Sequence, residues 1–251
     1  RLCAIRLADI GARSVDDAEH DVPIEIRHSS AASSARYADA HQPPTTTEGC
    51  PSIMTRLAVT GAGGYIGGAV VAAATGDPGL SVRSIVREPA PWLTGEVVQV
   101  ADLGVDAEGA LDDIEVVLHL AGPNEVETAS DPVAAIASAI GAARSVTKAA
   151  AAASVRRIVY VSTVHVYGAA LQPGAQVDEQ TIPMPRHPYA IARLACEHII
   201  AAEAGPLEVV VLRLTNAVGP PAASGVDRWS LVANDLCRQA VSGDHLELRT
   251  D

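Results

Sequence analysis

Tyr189 and Arg193 stand four residues apart in the run Pro188-Tyr189-Ala190-Ile191-Ala192-Arg193. On a helix, positions i and i+4 share one face, so a phenol and a guanidinium there can reach one site. A free tyrosine ionises near pH 10, so about one molecule in a thousand is phenolate at pH 7, and an adjacent cation favours that form. The pair points to proton transfer. A second group lies far upstream, in Thr60-Gly61-Ala62-Gly63-Gly64-Tyr65-Ile66-Gly67, directly after the apolar run Leu57-Ala58-Val59. Gly61, Gly64 and Gly67 have the spacing of a turn that carries a dinucleotide pyrophosphate between a strand and a helix. One glycine permits the tight turn, one lets the backbone approach the phosphates, and one allows the helix to pack closely on the strand. The N–H groups at the helix start, around Tyr65 and Ile66, and the positive end of the helix dipole then face the anion.

Choice of dinucleotide is settled near the end of the second strand, where an acid accepts from a ribose 2′-hydroxyl and an arginine pairs with a 2′-phosphate. Arg87 falls 20 positions beyond Gly67 (87 − 67 = 20), with Glu88 beside it. Arg87 tilts the expectation to NADP, while Glu88 keeps NAD open.

These groups need a scaffold, and its elements are legible from Arg56 onward. Short Val/Ile/Leu strands are predicted at 57–60, 82–86, 97–100, 115–120, 157–162 and 208–213. Helices are predicted from the glycine turn through Ala74, over about 132–153, and over about 189–204. Near-continuous apolar strands separated by helices signal a parallel sheet covered on both faces. The fold class is therefore α/β, a doubly wound Rossmann sheet. The final residues, Leu246 to Asp251, read as the start of another strand.

The 251 residues are 48% hydrophobic and 19% charged, enough apolar side chains for a core, with no Phe and a strong bias to small residues. A formal net charge of −12 argues against nucleic acid as a partner, because phosphate contacts need clustered Lys and Arg. Cys3, Cys50, Cys196 and Cys237 lack C-x-x-C spacing and read as incidental thiols rather than a zinc site, and no metal spacing links His119, His165 and His187. No apolar run reaches the roughly 18 residues of a membrane helix, and the start lacks a secretory leader, so a cytoplasmic location is expected. Residues 1–53 contain Ser-rich and Pro/Thr-rich tracts without hydrophobic period. They are expected to form a disordered extension, or to be translated sequence upstream of a true start at Met54. Residues 54–251 are expected to form the dinucleotide-binding Rossmann domain with the start of a substrate-binding lobe.

Further segments give the pattern a family. Ala101-Asp102-Leu103, His119-Leu120-Ala121-Gly122, Val161-Ser162-Thr163-Val164-His165-Val166-Tyr167-Gly168 and Leu212-Arg213-Leu214-Thr215-Asn216-Ala217-Val218-Gly219-Pro220 follow the glycine turn in order. From about Arg56 to Asp251 the chain resembles the extended short-chain dehydrogenase/reductase family, in the NAD-dependent epimerase/dehydratase group that includes UDP-glucose 4-epimerase.

The resemblance implies roles. Asp102 and Leu103 would contact the adenine, and Leu120, Ala121 and Gly122 would pass beneath the cofactor. Thr163 would supply the catalytic hydroxyl, Tyr189 would be the general acid/base, and Asn216 would border the substrate pocket. Arg193 stands where the family has Lys; it would anchor the cofactor ribose and supply charge, but guanidinium does not deprotonate and cannot relay protons. The implied activity is an NAD(P)-dependent epimerase or reductase acting on a nucleotide sugar or related alcohol or carbonyl. A dehydratase would need an acid close to Thr163, and Thr163-Val164-His165 offers none. The alternative is an NADP(H)-binding protein with little turnover. The resemblance also implies a homodimer through the Ala-rich helices at 132–153 and 189–204. It implies further elements beyond Asp251 as well, so the C-terminal substrate lobe is expected to be incomplete.

Overall fold

The computed structural model describes residues 54–226, 228–229, 231–243 and 245–248. Expectations for residues 1–53, including Cys3 and Cys50, fall outside the described residues. The order of elements is β1 (Thr55–Thr60), α1 (Tyr65–Thr75), β2 (Leu80–Val86), β3 (Glu96–Gln99), β4 (Val116–His119), α2 (Glu125–Ser130) and α3 (Pro132–Ala152). Then follow β5 (Arg157–Thr163), a 3₁₀ segment (Val164–Ala170), α4 (Pro188–Glu203), β6 (Glu208–Leu214) and α5 (Val232–Ser242).

The six strands form one sheet in the order β3-β2-β1-β4-β5-β6, with every neighbouring pair parallel. This is the doubly wound arrangement read from the sequence. Successive strand residues point to opposite faces. Ala58, Val117, Ile158 and Tyr160 pack beneath α3 and α4, against Ala143, Val146, Ala150, Ala192 and Ile200. Leu57, Val59, Leu118, Val159 and Val161 face the other way and pack with Val71 of α1. Alanine on α3 and α4 lets those helices lie close to the strands and to each other, which explains how a core without Phe closes.

Helix starts follow local chemistry. Asp131 accepts from Ala134 N–H at 3.1 Å ahead of Pro132, and Asn124 and Glu127 form a reciprocal capping box on α2. At Gly168 (φ +44) a Cβ would lie 2.0 Å from Met184 O, so only glycine fits where the 3₁₀ segment meets the chain before α4.

One expectation is corrected. Leu246 to Leu248 form no strand; Gln239, on the buried side of α5, exchanges two hydrogen bonds with the backbone of Glu247 instead. Residues 249–251 lie outside the described residues.

Candidate functional site

Strand order reverses direction between β1 and β4, and the crevice outside the carboxyl ends of strands at such a point is where α/β sheets hold ligands. A cleft of about 1010 Å³ opens there. The candidate cofactor, catalytic and substrate residues named from the sequence line it: Gly61, Gly64, Tyr65, Ile66 and Gly67, then Arg87, Asp102 and Leu103, the strip Leu120-Ala121-Gly122, and Thr163, Tyr189, Arg193 and Asn216.

The glycine turn is closed by backbone contacts. Gly61 has φ +71, and a Cβ there would meet Ala121 N at 2.9 Å. A Cβ on Gly67 would meet Gly61 O at 2.1 Å. Helix α1 has no side-chain cap and no acid in its first turn, which leaves its positive end available to an anion. Tyr65 turns its side chain away from the turn: its hydroxyl donates to Gly219 O at 2.8 Å and accepts from Asn234 Nδ2 at 2.9 Å. Asn234 Oδ1 in turn accepts from Gly219 N–H at 3.0 Å, so α5 and the loop after β6 are tied to the start of α1. Arg87 is exposed and only loosely paired with Glu88, at 3.9 Å. Asp102 Oδ1 accepts from Gly104 N–H at 2.8 Å, and Leu103 packs on the core.

Between β1 and β4, Thr60 Oγ1 accepts from Leu120 N–H at 3.2 Å and Ala121 N–H at 3.3 Å. With both lone pairs engaged, its own hydrogen is left to donate to His119 Nδ1 at 2.7 Å. His119 is therefore the neutral tautomer protonated at Nε2. Burial, and then the charge of Arg193, push its pKa down to about 3. His119 is a structural clamp between two strand ends.

Arg193 sits at the base of the cleft. Its Nη1 donates to Tyr160 Oη at 3.5 Å, and its Cζ lies 5.2 Å from the centre of the Tyr189 ring. Among the described residues no carboxylate forms an ion pair with it. Burial opposes its charge, but the oxygens of Tyr160 and Tyr189 raise its pKa above the ordinary arginine range, so the cation persists. Gly122 (φ +148) passes beside it: a Cβ there would be in ordinary contact with Nη1 at 3.5 Å, so the positive φ rather than space is what favours glycine. Tyr189 follows Pro188 in the first turn of α4 and stacks on His187, with ring centres 6.1 Å apart and planes 4° from parallel. His187 is the N-cap of α4, accepting from Ala190 N–H at 3.4 Å. His165 meets His187 edge-on at 5.4 Å. Thr163, buried at the end of β5, accepts from His165 N–H at 3.3 Å.

Sequence reasoning missed three contributors. Tyr160, the partner of Arg193, reads as one more apolar strand residue. Glu125 lines the cleft and pairs with Arg228 at 3.1 Å across the loop after β6. Burial works to raise the Glu125 pKa, but its backbone N–H, Arg228 and Arg193 together hold it below the ordinary carboxylate range. Only the Asn124-x-x-Glu127 box hinted at a helix carrying Glu125. Beside the cleft, buried Glu197 accepts from Ser162 Oγ at 2.5 Å and from Arg213 at 2.7 Å, which fastens α4 to the ends of β5 and β6. Cys196 and Cys237 are free thiols, and among the described residues no group of His, Cys, Asp or Glu could hold a metal ion. No helix among those residues is long and apolar enough to cross a membrane.

Comparison with known proteins gives a consistent result. The model of a family described as NAD dependent epimerase/dehydratase matches residues 57–250. UDP-glucose 4-epimerase of Azospirillum brasilense is 28% identical over 197 residues, which cover 74% of this chain and 56% of that protein. The structure of MoeE5 in complex with UDP-glucose and NAD superposes with a TM-score of 0.65 at 27% identity, covering 75% of this chain and 62% of that one. A short-chain dehydrogenase/reductase superfamily protein from Agrobacterium tumefaciens with bound NAD superposes with a TM-score of 0.56 at 31% identity, covering 63% and 48%. The chain thus spans less than two thirds of the length of these relatives.

Proposed function

The chain belongs to the NAD-dependent epimerase/dehydratase family, and on that premise we propose that it binds a nicotinamide dinucleotide and acts as an epimerase or reductase on a nucleotide sugar. The supporting observation is convergence: the uncapped glycine-lined start of α1, Thr163, Tyr189 and Arg193 all line one cleft. That wall fits a dinucleotide, because the glycine backbone is bare and the helix end carries no acid. The bound nicotinamide would supply or accept hydride. The remaining steps fall to the chain. Tyr189 takes the proton of the substrate hydroxyl and returns it, Thr163 Oγ1 holds the substrate oxygen, and Arg193 offers charge and donors to ribose hydroxyls. Asn216 borders the sugar. NAD is the dinucleotide in the solved relatives named above; Arg87, exposed at the far end of the cleft, supports acceptance of NADP as well. The Ala-rich helices α3 and α4, with Val133 and Ile191 exposed, support a homodimer.

The test is direct. Binding of NAD(H) and NADP(H) is followed by fluorescence, and UDP-glucose or UDP-glucuronic acid is incubated with the loaded protein and assayed for the epimeric sugar or cofactor redox change. Saturable binding with turnover is expected. Absence of binding to both dinucleotides would refute the reading. Arg193 in place of Lys favours a second reading, a dinucleotide-binding protein with little turnover, which predicts saturable binding and no product.

A further inference from the structure

Helix α4 carries both Tyr189 and Arg193, and its first turn is closed by a histidine. His187 Nδ1 accepts from Ala190 N–H at 3.4 Å, and its ring lies parallel to the Tyr189 phenol. An imidazole can accept at Nδ1 only while that nitrogen is unprotonated. A cation at this position would also oppose the positive helix end. The geometry points to His187 as a positioning residue for Tyr189, one that caps α4 and orients the phenol only as the neutral imidazole. This inference rests on the catalytic reading of Tyr189 given above.

The charged and titratable groups around His187 come from each neighbouring element. His165 on the 3₁₀ segment meets it edge-on at 5.4 Å, Tyr189 and Arg193 lie on α4 itself, and Arg186 precedes it. Among the described residues, Glu125 on α2, held by Arg228, is the acid that acts on it. Burial and then His165 lower the His187 pKa from the ordinary 6.5, while Glu125 opposes them. The neutral, capping form is therefore present above that lowered value and is lost as pH falls through it.

Two variants separate the cap from the ring. His187→Asn keeps an acceptor that suits an N-cap and cannot titrate, whereas His187→Ala has neither. In wild type, kcat/KM is expected to fall on the acid side with the His187 titration. His187→Asn should lose that limb, and His187→Ala should hold kcat at all pH about fivefold below the neutral plateau of wild type, the scale of a lost helix cap. A readout independent of turnover uses the cofactor-free protein: by NMR, the Ala190 amide proton should shift together with the His187 ring protons, and should be flat in His187→Asn. An Ala190 signal that ignores the His187 titration overturns the inference even if turnover is intact. Loss of turnover with co-titration preserved refutes the catalytic reading instead and leaves the cap standing.

Discussion

At the residue scale the site turns on Arg193. Its guanidinium contacts Tyr160 and faces the Tyr189 ring, so it supplies charge where the family's Lys would stand. It is broad and permanently protonated, so it cannot pass a proton onward. Arg193→Lys is therefore expected to raise kcat about tenfold, one unit of proton-transfer driving force, while dinucleotide affinity changes little. Steady-state kinetics with a fluorescence titration check both quantities, and an unchanged kcat would show that Arg193 is not the limiting group. Tyr189 and Arg193 could be paired from the sequence because a helix face depends on local spacing alone. Tyr160 could not be added, since its contact with Arg193 joins two elements through their packing.

At the element scale, two joints hold the walls of the cleft in place. The first is the closure of the glycine turn on α1. A Cβ at position 67 would meet Gly61 O at 2.1 Å, and backbone cannot retreat as a side-chain tip can. Gly67→Ala should destabilise the domain by about 1–3 kcal/mol and weaken dinucleotide binding at least tenfold. Chemical denaturation and a binding titration measure this. The second joint is Glu197 on α4, which is buried and accepts from Ser162 and Arg213. Glu197→Ala leaves Arg213 unpaired against Tyr167 and should cost about 3 kcal/mol. The double variant with Arg213→Leu should cost less than the sum of the single changes; additive losses in denaturation would deny the coupling. The strands and the long helices were legible because the strands are near-continuous Val/Ile/Leu runs and the helices are Ala-rich stretches between them. Helix α5 was not, because it buries Asn234, Asp235 and Gln239, polar residues that invert the expected pattern. Its place is set by partners distant in sequence, Tyr65 and Gly219.

At the scale of the whole molecule, stability should depend on acid through His119. Its folded-state pKa is lowered to about 3, so the unfolded chain binds the proton first as pH falls below the ordinary 6.5. Each unit of pH between those limits then removes about 1.4 kcal/mol of stability from this one group. Thermal midpoints should drop steeply from pH 7 to pH 5 in wild type and less steeply in His119→Asn, which keeps an acceptor for Thr60. Equal slopes in the two proteins would contradict the assignment.

The amino-acid order alone determined the doubly wound class, the glycine turn, the shared helix face of Tyr189 and Arg193, and the family. Each of these is written in short-range spacing, in near-continuous apolar runs and in residue types that few other backbones tolerate. Tertiary structure decided that Tyr160 meets Arg193, that Glu125 and Arg228 pair at the cleft, that the Tyr65 hydroxyl binds Gly219 and Asn234, and that His187 stacks parallel to Tyr189 while capping its helix. Three of these contacts join residues far apart along the chain, and the stacking of His187 on its near neighbour depends on how the backbone enters α4. They exist only once the parallel sheet has set β1, β4 and β5 side by side.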